Sequence, residues 1–160
     1  TLETANYVDK NMSKVLSVDA IYKVHDLAIS CIEPSLEEGL ILEFGVFEGG
    51  TVNYIAKKLP GKSIYGFDSF EGLPECWRDG FGKGTFKTDC MPSVESNVHL
   101  RKGLFESSLP EFLSEIPQTF CIAYLHIDCD LYSSTKTIFK YLGGRIKHGT
   151  VIVFDELIVK

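Results

Sequence analysis

The chemistry legible in this 160-residue sequence lies in one glycine turn and a set of carboxylates, each standing just after an apolar run. Gly45-Val46-Phe47-Glu48-Gly49-Gly50 follows Leu40-Ile41-Leu42-Glu43-Phe44, and Asp68 follows a second run. Glycines let a backbone turn tightly and approach a ligand, and a helix starting near Gly50 would aim free N–H groups at it. Asp68 falls close to the ~20-residue offset at which an acidic side chain accepts ribose hydroxyls. The alternative is a turn that packs helix on strand, with Asp68 as a strand-end cap. Phe47 stands where a GxGxxG motif has its second glycine, which disfavours the pyrophosphate of a dinucleotide. A nucleoside without phosphates, such as S-adenosylmethionine, does not need that approach.

The second constellation is Asp128-Cys129-Asp130 with Asp155-Glu156. If the two strands before them are neighbours in a parallel sheet, these carboxylates converge, and crowded like charges raise one another's pKa. A divalent cation relieves the crowding, and an all-oxygen set favours Mg²⁺, Ca²⁺ or Mn²⁺ over zinc. The alternatives are solvent-facing carboxylates, or Asp130 as the cap of the following helix. His126 shares the face of Asp128 by the strand period of two. It is expected to be a satisfied core histidine, with a substrate contact as the alternative. His25 falls in a helix, His99 and His148 look like surface residues, and Cys121 and Cys129 read as small apolar strand residues.

The elements that position these groups follow from periodicity. Residues 1–10 are polar and expected to fray. Val15, Leu16, Ile21, Val24, Ala28, Cys31 and Ile32 repeat at helical spacing, which predicts a helix over 12–32. Strands are predicted over 40–46, 63–67, 98–100, 120–127 and 150–154, and helices over 51–59, 110–115 and 133–142. Residues 69–96 form a long irregular loop whose aromatics Phe70, Trp77, Phe81 and Phe86 either make a lid or anchor the loop to the core. Near-continuous apolar strands such as Cys121-Ile122-Ala123-Tyr124-Leu125 belong to a parallel sheet covered by helices on both faces. Ligands of such sheets gather at the carboxyl ends of the strands.

Composition sets the outer bounds. Hydrophobic residues make up 44% and charged residues 24%, ordinary for a single globular domain over 1–160. Sixteen Lys and Arg against 22 Asp and Glu give a net charge of -6, which argues against a nucleic-acid partner. No apolar stretch approaches the ~20 residues needed to span a bilayer, so no membrane partner is expected. The 5 cysteines (Cys31, Cys76, Cys90, Cys121, Cys129) include no CxxC pair and read as free thiols of a reducing, cytoplasmic compartment. The chain opens on Thr1 and stops soon after an apolar run, so an excerpt of a longer protein is expected. A homo-oligomer is left open.

Several stretches together resemble class I S-adenosylmethionine-dependent methyltransferases, and within them the macrocin O-methyltransferase family. These are Leu42-Glu43-Phe44-Gly45-Val46-Phe47-Glu48-Gly49-Gly50-Thr51, then Gly66-Phe67-Asp68-Ser69-Phe70-Glu71-Gly72-Leu73-Pro74, then Lys102-Gly103-Leu104-Phe105 with Ser108-Leu109-Pro110. His126-Ile127-Asp128-Cys129-Asp130-Leu131-Tyr132-Ser133-Ser134-Thr135 and Gly149-Thr150-Val151-Ile152-Val153-Phe154-Asp155-Glu156 complete the set, in order. The resemblance implies a Rossmann-like doubly wound α/β fold, mostly parallel, lacking the last two strands usual for the class. It implies that Glu43, Gly45 and Gly49 shape the pocket for the cofactor's methionine, with Val46, Phe47, Gly50 and Thr51 in the same turn. Asp68 would hold the ribose, with Ser69 beside it; Gly103, Leu104 and Phe105 would flank the adenine; Asp128 would border the cofactor.

The same resemblance makes Asp128, Asp155 and Glu156 metal ligands and Asp130 the general base. The family usually has two adjacent aspartates at the last site, so Glu156 moves an oxygen by one methylene. The activity implied is a Mg²⁺-assisted methyl transfer to a hydroxyl of a small molecule, of sugar or natural-product type. Two rival classes remain: an NAD-type oxidoreductase, which leaves the second acidic constellation without a task, and a non-catalytic binding or scaffold domain.

Overall fold

The computed structural model describes residues 2–14, 18 and 20–155. Helix α1 (Leu2–Met12) occupies the stretch expected to fray, and α2 (Ile21–Ser30) starts nine residues beyond the point where the apolar spacing predicts a helix. Val15 and Leu16, part of that spacing, lie outside the described residues. The other predicted elements stand close to their expected places: β1 (Leu40–Phe44), α3 (Gly50–Lys58), β2 (Ile64–Asp68), β3 (Val98–Lys102), β4 (Ile122–Ile127), α5 (Tyr132–Leu142) and β5 (Val151–Phe154). Helix α4 (Phe105–Glu115) begins before Pro110, which therefore lies inside it. Leu109 and Phe112 are fully buried on its inner face, and that burial outweighs the one main-chain bond a proline forfeits.

All five strands pair in parallel, in the order β3-β2-β1-β4-β5. The chain builds outward from β1 to β3 and then returns to place β4 on the other side of β1. The switch point therefore falls between β1 and β4, where ligands of open α/β sheets bind. Side chains alternate between two cores. Ile41, Tyr124 and Val153 pack with Ala28 of α2 and Val52, Ile55 and Ala56 of α3. Leu40, Leu42, Phe44, Leu125 and Ile127 pack on the other face with Leu109 and Phe112 of α4 and Ile138 and Leu142 of α5. A sheet buried on both faces is why its strands are nearly continuous in apolar residues.

Residues 69–96 replace the helix that normally links two parallel strands. The excursion is closed on itself: Leu73 N–H donates to the Thr85 carbonyl at 2.8 Å, Gly84 N–H donates back to the Leu73 carbonyl at 2.8 Å, and Trp77 N–H donates to the Phe81 carbonyl at 3.0 Å. Phe70 is buried in the core, so it anchors the loop. The return leg is fixed by Asn97, whose amide nitrogen reaches the carbonyls of Ala56, Leu59 and Lys62 at 3.3, 3.2 and 2.9 Å. Among the described residues no helix is long and apolar enough to cross a membrane, and the five cysteines are free thiols.

Candidate active site

A cleft of about 570 Å³ opens at the carboxyl ends of the strands, and it collects both constellations. Gly45, Phe47, Asp68, Ser69, Gly103, Leu104 and Phe105 line one part, and Asp128, Asp130, Ser133 and Asp155 line another. The hydrogen-bonded loop supplies the remaining wall through Leu73, Glu75, Trp77, Arg78, Phe81 and Phe86. The volume lies within the range of small-molecule and cofactor pockets.

The floor is set where β1 meets β4. Asp128 N–H donates to the Phe44 carbonyl at 2.8 Å, and Gly45 sits at φ 92 with its missing Cβ position only 1.7 Å from the Asp128 carbonyl oxygen. No side chain fits there, so this glycine serves the joint between two strands. Gly49, at φ 82, is the N-cap of α3. Phe47 also takes a left-handed conformation, at φ 50, which costs a non-glycine residue about 1–2 kcal/mol. Asp68 holds it there: one carboxylate oxygen accepts the N–H groups of Val46 and Phe47 at 2.9 and 2.8 Å, and the other accepts Phe70 N–H at 2.8 Å. Asp68 is thus a tie for the turn as well as a cleft residue.

The remaining expected cofactor residues divide in two. Val46, Gly49, Gly50 and Thr51 build the turn and first helical residues without lining the cleft. Glu43 departs further from its expected place beside the cofactor's methionine. It is 1% exposed, and its Oε2 lies 3.2 Å from His126 Nδ1. Burial holds its carboxyl well above the ordinary carboxylate range. His126 is fully buried, yet its Nε2 has no partner, nor has Glu43 Oε1. It is therefore a core histidine, as expected, but an unsatisfied one.

The acidic cluster forms as the strand order requires. A ring nitrogen of His126 and carboxylate oxygens of Asp128 and Asp155 lie within 4.8 Å of one another. Burial first, then the Asp155 carboxylate, pushes the Asp128 carboxyl up to about 7. Glu156 lies outside the described residues. Asp130, at φ 58, is a half-buried cleft residue and does not cap α5, whose N-cap is Leu131 with no side-chain cap. Burial raises its pKa, and the Arg78 guanidinium opposes that rise.

Arg78 lies 3.8 Å from the Trp77 ring centroid, a cation–π contact. Edge-to-face contacts run from Trp77 to Phe81 and from Phe86 to Phe47, with Phe81 and Phe86 packed 5.8 Å apart. Three of the four loop aromatics therefore form the cleft wall. Arg78, Glu75 and Ser133 join the cleft lining although nothing in their spacing along the sequence assigns them to it. Ser133 donates to Glu75 Oε1 at 2.5 Å, a contact between residues far apart in the chain.

A switch-point cleft with a glycine turn on one side of a five-stranded parallel sheet is the architecture of Rossmann-like methyltransferases. Residues 42–157 match the sequence family described as a methyltransferase domain, and the chain belongs to that family. It is an S-adenosylmethionine-dependent methyltransferase. Among solved structures it is similar to the calicheamicin methyltransferase CalS11, at TM-score 0.67 and 22% identity, over 98% of this chain and 77% of that one. The apo structure of CalS11, described as a TDP-rhamnose 3'-O-methyltransferase, matches at TM-score 0.64 and 22% identity over 95% and 70%. The O-methyltransferase NovP matches at 0.58 and 20% over 85% and 65%. At these identities the likeness concerns the fold. No curated protein matches the chain.

Proposed function

We propose that this methyltransferase is an O-methyltransferase of the macrocin type, assisted by a divalent cation such as Mg²⁺ and acting on a hydroxyl of a sugar or related natural product. The observation that carries the reading is the convergence of Asp128 and Asp155 at the same cleft as the glycine turn. Three features fit the two groups required. The cleft joins the turn to Gly103, Leu104 and Phe105, which gives a nucleoside a continuous lining. Phe47 stands in that lining, where a dinucleotide would need bare backbone. The Asp128 carboxyl, raised to about 7 by burial and then by the Asp155 carboxylate, marks a desolvated like-charge pair that a cation would relieve. CalS11 and NovP, which share the fold, are O-methyltransferases, and this supports the choice of oxygen as acceptor.

When bound, the cofactor supplies an electrophilic methyl on its sulfonium, and the cation supplies a Lewis acid that lowers the pKa of a hydroxyl. The chain's own residues do the rest. Asp68 keeps the glycine turn in shape and offers remaining lone pairs to the ribose. Asp128 and Asp155, with Glu156 by resemblance, would hold the cation. Asp130 accepts the proton of the acceptor hydroxyl at its carboxylate, and its raised pKa makes it a stronger base than an exposed aspartate. Trp77, Phe81 and Phe86 wall the cleft and exclude water from it.

Calorimetric titration of the full-length protein with S-adenosylhomocysteine, beside methyl-transfer assays on sugar and polyhydroxylated acceptors, tests this. Chelation should abolish transfer and leave S-adenosylhomocysteine binding in place. Undiminished transfer with metal content verified as zero would overturn the cation's role, and transfer to nitrogen acceptors alone would overturn the oxygen assignment.

A further inference from the structure

We propose that His126 is a nitrogen ligand of the cation at Asp128 and Asp155, which makes this a mixed nitrogen–oxygen site and moves its preference from Mg²⁺ towards first-row divalent metals. The inference rests on the reading that those two carboxylates hold a cation, and adds to it the donor that decides which one.

Strand geometry puts the three groups on one face. His126 and Asp128 are two residues apart along β4 and its end, and Val153 of β5 pairs with His126. Asp155 lies two residues beyond Val153, so it belongs to the face of His126 and Asp128. Their candidate donor atoms lie within 4.8 Å of one another. Donors ~2.1 Å from one ion stand ~3 Å apart when adjacent and ~4.2 Å apart when opposite, so a small side-chain adjustment brings all three onto it.

The histidine itself supplies the independent observation. It is fully buried, its Nδ1 is engaged by Glu43, and its Nε2 has no partner. A buried polar atom without a partner is costly and rare in folded proteins. His25 does not remedy this: its ring stands edge-on, centroids 4.6 Å away, while its Nδ1 is bonded to the Tyr124 hydroxyl at 2.6 Å. With its proton on Nδ1 donated to Glu43, His126 keeps an Nε2 lone pair free. An oxygen acceptor behind the far ring nitrogen is the usual support of a metal-bound histidine, and the Glu43 carboxyl offers one whether or not it is ionised. This also gives Glu43 a task at its observed place. Imidazole suits the later first-row metals such as Fe²⁺, Ni²⁺ and Zn²⁺, whereas Mg²⁺ favours oxygen, so a nitrogen donor moves the site away from Mg²⁺ and towards the first-row series that begins with Mn²⁺.

The test is Mn²⁺ titrated into the full-length protein, read by calorimetry and by pulsed electron paramagnetic resonance. Bound Mn²⁺ should show coupling to a histidine nitrogen that changes on ¹⁵N-histidine labelling. It should bind more tightly than Mg²⁺. His126→Leu should lose the coupling, His25→Phe should keep it, and Glu43→Gln should weaken Mn²⁺ by roughly 10–100-fold with the coupling retained. Mn²⁺ bound without histidine coupling overturns the nitrogen ligand and leaves the carboxylate site standing. Coupling lost only in His25→Phe assigns the nitrogen to the wrong residue, and absence of any Mn²⁺ or Mg²⁺ binding overturns both readings.

Discussion

Asp68 accepts the main-chain N–H of Phe47 at 2.8 Å, and so holds an aromatic residue in a left-handed conformation at the mouth of the cleft. The same oxygen takes the N–H of Val46, so the end of β2 fixes the shape of the turn after β1. A side chain expected to serve the cofactor also serves the backbone that cradles it.

Asp68→Ala is therefore expected to act twice. Three N–H groups lose a charged acceptor, which costs about 2–3 kcal/mol of stability in total, and S-adenosylhomocysteine affinity falls at least roughly tenfold. Asp68→Asn, which keeps an acceptor oxygen, should recover much of the stability. Urea unfolding and calorimetry on both variants check this; an Asp68→Ala protein with unchanged midpoint and affinity refutes it.

Asp130→Asn should leave S-adenosylhomocysteine and metal binding intact and lower turnover by about 10²–10⁴-fold, since an amide accepts no proton. Single-turnover assays at saturating cofactor measure the loss. A variant within threefold of the parent would remove Asp130 from proton transfer.

The buried histidine of α2 gives the protein an acid-labile core. Burial, then the neighbouring His126, lowers the pKa of His25 from 6.5 to about 4. The unfolded chain therefore takes up a proton that the folded one refuses. The stability due to a neutral His25 is complete above pH 6.5 and is lost as pH falls from there through 4, by about 3 kcal/mol. Urea denaturation at pH 7.5 and 4.5 should show that loss reduced in His25→Gln. An equal loss in both proteins would assign the acid sensitivity to other groups.

Asn97→Ala should cost about 1–2 kcal/mol, because the carbonyls of Ala56 in α3, Leu59 at its C-cap and Lys62 just beyond it lose the amide that ties them together. The effect should appear in the urea midpoint, and hydrogen exchange should quicken at the end of α3. A midpoint shift below ~0.3 kcal/mol would mean that water replaces the amide without penalty.

Sequence alone determined the strands, the glycine turn and the carboxylates at the strand ends, because each depends on neighbours a few residues away. A buried parallel strand reads as an apolar run, and a turn reads as glycine. Helix limits were less legible: α2 starts at Ile21, and Pro110 lies inside α4 because packing of Leu109 and Phe112 overrides a local signal. The tertiary structure alone decided what meets what. It set β4 beside β1, closed Asp128 against Gly45, and turned Glu43 from the cleft to His126, 83 residues away. It also brought Phe86 onto Phe47 and Arg78 towards Asp130. Such contacts have no period to betray them, since they follow from how crossovers and two packed cores stack the whole chain, and only the folded sheet chooses among the pairings that each residue's chemistry allows.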